Sequence, residues 1–330
     1  MRAIVEAEHG GPEVLAVTEQ PVPVPSAGQV LIKVAAAGVN RADCVQRQGF
    51  YPPPPGASSI YGLEVSGTVE AVGEGVDESL VGQERVALLA GGGYAEYVAV
   101  DAAHTLPVPA GVSLTDAAGL IEVASTVYSN LIMTLGAGTT RAANDGKSLL
   151  VHGGSGGIGT HALELAHALG LQVIATAGSE EKCDLIRALG AHAINYRTEN
   201  FREVVRHLTD GRGVNYLLDV VGGPYLAENI KTLAVGGSMA VIGVQGGPKG
   251  ELNLGYMLSR RLSVHATSLR SRPGAEKAKI VDAVGQLVWP LIEEGEIGIH
   301  TSATFPLDDA AAAHARMEGQ ENTGKILLIP

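Results

Sequence analysis

The stretch Ser148-Leu-Leu-Val-His-Gly-Gly-Ser-Gly-Gly-Ile-Gly159 constrains this chain more than any other. A short apolar run leads directly into a glycine-rich turn, and an amphipathic pattern follows. Gly154, Gly156 and Gly159 satisfy G-x-G-x-x-G, with Ser155, Gly157 and Ile158 between them. In that arrangement one glycine permits a tight turn, one admits a pyrophosphate to the backbone, and one lets helix and strand pack closely. The helix that follows presents unpaired N–H groups and the positive end of its dipole. Ile158, Ala162, Leu165, Ala166 and Leu169 fall on one face of it. Six apolar runs carry the same rhythm onward: 148–152, 173–177, 193–196, 216–221, 238–244 and 262–268. Strands alternating with helical crossovers predict an α/β fold built on a doubly wound parallel six-stranded sheet. The sheet implies a bound dinucleotide.

The flanking regions read differently. Runs at 3–6, 28–34, 66–72 and 94–100 are short, β-rich and separated by Gly and Pro clusters, which predicts an antiparallel β domain. Near the end, a long helix over 275–294, a helix over 308–318 and a strand over 325–329 return to a mixed pattern. We therefore expect a divided β-rich domain, 1–122 and 269–330, around a nucleotide-binding domain at 123–268. Two domains also suit 330 residues. Glycine reaches 44 residues, about 13% against a usual ~7%, in keeping with many tight turns and close backbone approaches. The net charge of −12 argues against a nucleic-acid partner. No run approaches a membrane span, and the N-terminus does not read as a signal peptide, so a cytoplasmic protein is expected. Cys44 and Cys183 are too few for a disulfide scaffold, and Cys44 reads as a buried structural thiol.

The second strand of the sheet ends Ala175-Thr-Ala-Gly178-Ser179, where an NAD enzyme places an acid for the ribose 2′-hydroxyl. A small neutral tip with Lys182 one turn on suits the 2′-phosphate of NADPH. Glu180 and Glu181 offer the other reading, a displaced ribose acid. Their simpler role is as first-turn partners of a helix capped by Ser179.

Further segments carry a resemblance that spans the chain. They are Gly38-Val-Asn-Arg-Ala-Asp43, Gln46-Arg-Gln-Gly49 with Tyr51-Pro-Pro-Pro-Pro-Gly56, Gly62-Leu-Glu-Val-Ser-Gly67, Asp219-Val-Val-Gly-Gly223 and Asn322-Thr-Gly-Lys-Ile326. With the glycine loop, they resemble the medium-chain dehydrogenase/reductase superfamily in its zinc-free, zeta-crystallin-like quinone oxidoreductase branch. The stress-inducible quinone oxidoreductase subgroup is the nearest match. The resemblance implies a GroES-like catalytic domain beside a Rossmann domain, NADPH, and a homodimer or homotetramer. It places Ser179, Lys182 and Tyr196 around the 2′-phosphate, and Asn40 and Tyr51 in the active-site cleft. It places Gly243, Val244, Gln245, Thr267, Ser268 and Leu269 on the nicotinamide half, Asn322 and Lys325 on a C-terminal cofactor segment, and Gly178 and Gly222 among the cofactor-binding residues.

Zinc-dependent relatives carry a Cys, a His and a second Cys or acid in the cleft; here Asn40 and Leu63 stand at the first two positions, with Glu64 beyond. Catalytic zinc needs about three such ligands, so no metal is expected, and His152 reads as a strand-end residue. A quinone spreads an incoming electron pair over a conjugated system and needs only one or two hydrogen-bond donors, which Asn40 and Tyr51 can supply. NADPH-dependent quinone reduction is the leading expectation. Reduction of enals, enones or enoyl thioesters is the alternative, and a structural or RNA-binding protein that retains the cofactor is the non-enzymatic one. The segment 136–146 is longer than this family's usual connection, and the sequence does not explain it.

Overall fold

The computed structural model describes residues 1–330. The chain divides into two compact units. The first comprises Met1–Ser125, Leu269–Glu294 and Ile299–Pro330; the second comprises Thr126–Ser268 and Gly295–Gly298.

In the first unit, β1 (Arg2–Glu6) and β2 (Leu15–Glu19) form a small antiparallel pair. The larger sheet uses β3 (Gln29–Val39), β4 (Glu64–Val72), β5 (Glu84–Leu88), β6 (Tyr97–Asp101) and β7 (Thr105–Pro107). It pairs antiparallel throughout this part, with β3 contacting both β4 and β6. The C-terminal strands join the same sheet, as described below. Val30, Ile32, Val65, Val98, Ile326 and Leu328 meet in its core. Burying such side chains contributes roughly 1.5–3 kcal/mol each.

In the second unit, six strands pair entirely in parallel. They are β8 (Ser148–His152), β9 (Gln172–Ala177), β10 (His192–Asn195), β11 (Val214–Asp219), β12 (Leu233–Val241) and β13 (Ser263–Ala266). Their order is β10-β9-β8-β11-β12-β13, which reverses between β8 and β11. In such sheets ligands settle at the carboxyl ends of the strands, at that reversal. Leu149, Leu150 and Leu217 are fully buried, as expected where helices cover a parallel sheet.

The 136–146 segment is closed by one side chain. The buried Asn144 accepts from the Gly138 N–H at 2.8 Å and donates to the Gly138 and Leu169 carbonyls at 2.8 and 2.9 Å. One side chain thus closes the loop and satisfies the end of the helix Gly157–Ala168. Back in the first unit, the helix Gly274–Glu293 precedes β14 (Thr301–Pro306), the helix Ala310–Glu318 and β15 (Lys325–Ile329). β15 pairs parallel to β14 and antiparallel to β3, which carries Lys325 toward the start of β4.

Candidate active site

The glycine loop lies between β8 and the helix Gly157–Ala168, which Gly156 caps in extended conformation. The left-handed residue is Gly153 (φ +74°), so the tight turn falls one position ahead of Gly154. Gly154 is small for another reason: a Cβ there would stand 2.6 Å from that of Ala175. At Gly159 a Cβ would meet the Gly153 carbonyl oxygen, the close helix–strand approach expected of the motif's last glycine. At Gly156 the nearest atom to such a Cβ would be 3.6 Å away, leaving the backbone open to an approaching group. Ser155 is buried, and Gly157 and Ile158 open the helix with first-turn N–H groups that have no intrahelical acceptor. This cradle fits a dinucleotide pyrophosphate.

A one-way hydrogen-bond chain braces it. Asp219, ending β11, accepts from the Val221 and Gly222 N–H groups and from Asn229 Nδ2 (3.1 Å). Asn229 Oδ1 lies 2.8 Å from His152 Nε2, and His152 Nδ1 lies 3.0 Å from Thr176 Oγ1. Because Asn229 spends its amide on Asp219, His152 must donate from Nε2 and accept at Nδ1. A neutral ring fits, since burial pulls the His152 pKa down to about 4. Thr176 also accepts from the Gly153 N–H and, through its carbonyl, from that of Gly154. His152 is therefore a strand-end core residue packed edge-on against Phe201 and Tyr225.

Gly222 is left-handed (φ +85°), and a Cβ there would stand 2.7 Å from the Gly247 oxygen. Gln245 and Gly246 donate to the Val220 and Val221 carbonyls, stitching the 243–247 loop, with Gly243 and Val244, to the turn after β11. Thr267 donates from Oγ1 to Asn130 Oδ1 at 2.6 Å. Ser268 follows at the end of this unit, whereas Leu269 begins the second segment of the other.

Beyond β9, Ser179 caps the helix Glu180–Ala188 by accepting from the Lys182 N–H. Glu180 pairs with Arg187 at 2.7 Å, which supports its first-turn role. Tyr196 brings its hydroxyl over Gly178, where a Cβ would lie 2.5 Å from it. The Lys182 ammonium is pulled down by burial and further by Arg197, with Glu181 opposing. Gly178, Ser179, Lys182 and Tyr196 thus converge, and Arg197 joins them. No motif in the sequence includes Arg197; its place next to Tyr196 is the only local signal.

In the first unit, Asn40 occupies the cap position of the short helix Arg41–Arg47 in extended conformation (φ −121°, ψ 149°). Its side chain faces a buried ion pair. Lys325 Nζ donates to Asn40 Oδ1 at 2.7 Å and to Glu64 Oε1 at 2.5 Å. Asn40 Nδ2 donates to the same Glu64 oxygen at 3.1 Å, and Glu64 Oε2 accepts from the Glu122 N–H at 2.9 Å. An inverted amide would set its oxygen against the carboxylate and its NH2 against the ammonium, so this orientation is the electrostatically sound one. Lys325 and Asn322 are both buried; Asn322 Nδ2 bonds the Gly324 carbonyl at 3.1 Å, within its own turn.

Beneath Asn40 runs a second one-way chain. Arg47 Nη1 faces His314 Nδ1, His314 Nε2 faces the Tyr94 hydroxyl, and Tyr94 donates to Asp43 Oδ2 at 3.0 Å. The chain ends there, and Asp43 Oδ2 also accepts from the Asn40 N–H at 2.8 Å. Burial lifts the Asp43 pKa to about 6 and, with the nearby Arg47 charge, lowers that of His314 to about 3. Cys44 is buried, and desolvation followed by Asp43 pushes its thiol up to about 12.

Tyr51 precedes the Pro52–Pro55 run and lies beside Arg270, which belongs to none of the motifs. The Arg270 guanidinium sits 5.3 Å from the Tyr51 ring centre. It donates from Nη1 to the Tyr51 carbonyl at 3.3 Å and from Nε to the Ala90 carbonyl at 2.8 Å. Its Nη2 is buried with no acceptor, an arrangement that costs about 1–3 kcal/mol.

Two family profiles match. "Alcohol dehydrogenase GroES-like domain" covers residues 26–110, and "Zinc-binding dehydrogenase" covers 157–285. The quinone oxidoreductase of Rattus norvegicus is 33% identical over 100% of this chain and 98% of its own length. This chain belongs to the medium-chain dehydrogenase/reductase superfamily, in its quinone oxidoreductase branch. The Escherichia coli quinone oxidoreductase complexed with NADPH superposes with a TM-score of 0.89 at 30% identity, covering both chains fully. The 2-haloacrylate reductase of a Burkholderia species is 30% identical over 100% of this chain and 99% of its own length.

The zinc in the second profile's description does not fit this donor set. No three His, Cys, Asp or Glu side chains converge anywhere in the structure. Where a ligand set would be needed, Asn40 and Glu64 instead share an ammonium, which repels a cation.

Proposed function

We propose that this protein is an NADPH-dependent reductase of quinones. The observation that carries this reading is the dinucleotide cradle together with Lys182, Arg197 and Tyr196 beyond β9, in a chain similar to quinone oxidoreductases from end to end. Two cations beside a capped helix start suit a 2′-phosphate, and Glu180 is drawn off by Arg187. When bound, NADPH supplies the hydride. The protein's own residues hold the cofactor phosphates and meet the charge that the hydride leaves on the acceptor oxygen.

For that second task Tyr51 is the assigned donor. Asn40 takes a supporting part, because its amide hydrogens already face Glu64 and the Gly38 carbonyl. A carboxylate and an ammonium locked together leave no metal to polarise a carbonyl, so the acceptor must delocalise the incoming pair itself. Quinones do so through a conjugated dicarbonyl. Activated alkenes do so through one carbonyl, and the similarity to 2-haloacrylate reductase favours them as a second reading.

The test is NADPH oxidation by purified protein, with 1,2-naphthoquinone and a simple enal as parallel acceptors and NADH as control. Quinone turnover with NADPH, unchanged by chelator, supports the proposal. Enal turnover without quinone turnover moves the function to the second reading, and NADH preference overturns the cofactor assignment.

A further inference from the structure

We propose that Arg270 is a positioning residue that sets the Tyr51 hydroxyl for the acceptor and acts through it; this rests on the donor role assigned to Tyr51 above. Three observations carry it. Arg270 is 6% exposed, yet none of its hydrogen bonds or ion pairs is to an acid. A buried arginine held for stability alone is ordinarily matched to a carboxylate, since an unpaired buried charge is strongly unfavourable. Its committed arms grip main-chain carbonyls of two loops, at Tyr51 and at Ala90, so it fixes the backbone from which the Tyr51 side chain springs. Its guanidinium carbon lies over the Tyr51 ring, 5.3 Å from the ring centre, where cation–π attraction holds the ring in place.

The surrounding charges agree with this assignment. Lys277 Nζ lies against the Arg270 carbonyl at 3.5 Å, adding a second cation rather than a counter-ion. Asp43 contributes only through space, because its oxygens accept from Asn40, Tyr94 and Gly62. Arg270 thus places a positive charge behind Tyr51 that no carboxylate contacts directly, Asp43 opposing it only through space. That environment suits an acceptor that gains negative charge on oxygen during reduction, and it gives no advantage to one that does not. The two committed donors explain why lysine is a poor substitute: an ammonium can lie over the ring but cannot span both carbonyls.

A double-mutant cycle separates this role from a merely structural one. Tyr51→Phe keeps the ring and the carbonyl and removes only the hydroxyl. With 1,2-naphthoquinone and NADPH, Arg270→Met in the native background should lower kcat by about 10- to 100-fold, the scale expected for a misplaced reacting group. In the Tyr51→Phe background the same change should lower kcat less than about 2-fold. Arg270→Lys should fall between native and Met, and it serves as the second variant in both backgrounds if Arg270→Met does not fold. NADPH binding, read by cofactor fluorescence, should stay within about 2-fold throughout. Equal losses in both backgrounds, or a loss confined to KM, overturn the proposal while leaving Tyr51 as donor. No effect of Tyr51→Phe itself overturns the donor assignment, and Arg270's role with it.

Discussion

Replacing Lys325 with Met tests whether the buried ion pair is structurally indispensable. The substitution removes the ammonium from Glu64 and Asn40, both of them buried, and fills its space with an apolar chain of similar length. Removing one member of a buried pair typically costs about 3–5 kcal/mol, because the other charge is left without its counter-ion. Glu64 retains two donors here, Asn40 Nδ2 and the Glu122 N–H, which places the expected loss near the lower end, about 3 kcal/mol. For a unit of this size that amounts to roughly 6–12 °C in Tm. Differential scanning calorimetry should show the shift, with urea titration giving the free energy. The double variant Glu64→Gln/Lys325→Met removes both charges and should recover about half of the loss or more. A single variant within about 1 kcal/mol of native, or a double variant no more stable than the single, would refute the argument.

Other outcomes follow from the same geometry. Asp43 has a folded pKa raised from 3.8 to about 6, so its protonated form is favoured by folding. The stability of native protein relative to Asp43→Asn should be greatest below about pH 4, decline as pH rises through 6, and level off above, a change on the order of 2–3 kcal/mol. Urea midpoints from pH 4 to 8 for both proteins measure it, and a constant gap refutes it. His314, depressed to about 3, acts oppositely as pH falls below 6.5, which is why the difference between the two proteins is the useful quantity. Lys182→Ala and Arg197→Ala should each raise KM for NADPH by about 10- to 100-fold, one charge-assisted contact apiece, and leave KM for NADH nearly unchanged. Equal effects on both cofactors would place these residues elsewhere. Both cysteines are buried, so neither should react rapidly with a thiol reagent at neutral pH until the protein unfolds; a fast-reacting equivalent in native protein contradicts this.

Much of the architecture was legible because it repeats. The parallel strands announce themselves as apolar runs between helical segments; β8 and β15 fall on the expected residues, and the others shift by one to five at their ends. The glycine loop was legible as a motif, though the left-handed turn lies at Gly153 rather than Gly154; which glycine bends depends on how β8 meets Ala175 and Ile186. The small strands β2, β5, β7 and β14 were not read. They are stabilised by partners distant in sequence more than by their own pattern. The site was harder still. Lys325 meets Glu64 across 261 residues, and no local spacing reveals that its charge is already engaged. Arg270 directly follows the Thr267–Leu269 segment, and its approach to Tyr51 is a tertiary contact that no local pattern gives. Asn40 was noticed for its amide, yet the direction of that amide is a property of the fold.

The chain from Asp219 through Asn229 and His152 to Thr176 has a practical consequence for anyone redesigning cofactor choice. Asn229 is fully buried, yet it ties together the ends of the two strands that flank the sheet's reversal. A mutant library confined to ligand-facing positions would leave it untouched, and one that drifted through it would loosen the glycine loop and the Gly222 turn at once. Selections for a new nicotinamide preference should therefore hold Asn229 constant while varying Lys182 and Arg197, so that gains in specificity are not masked by loss of a shared brace.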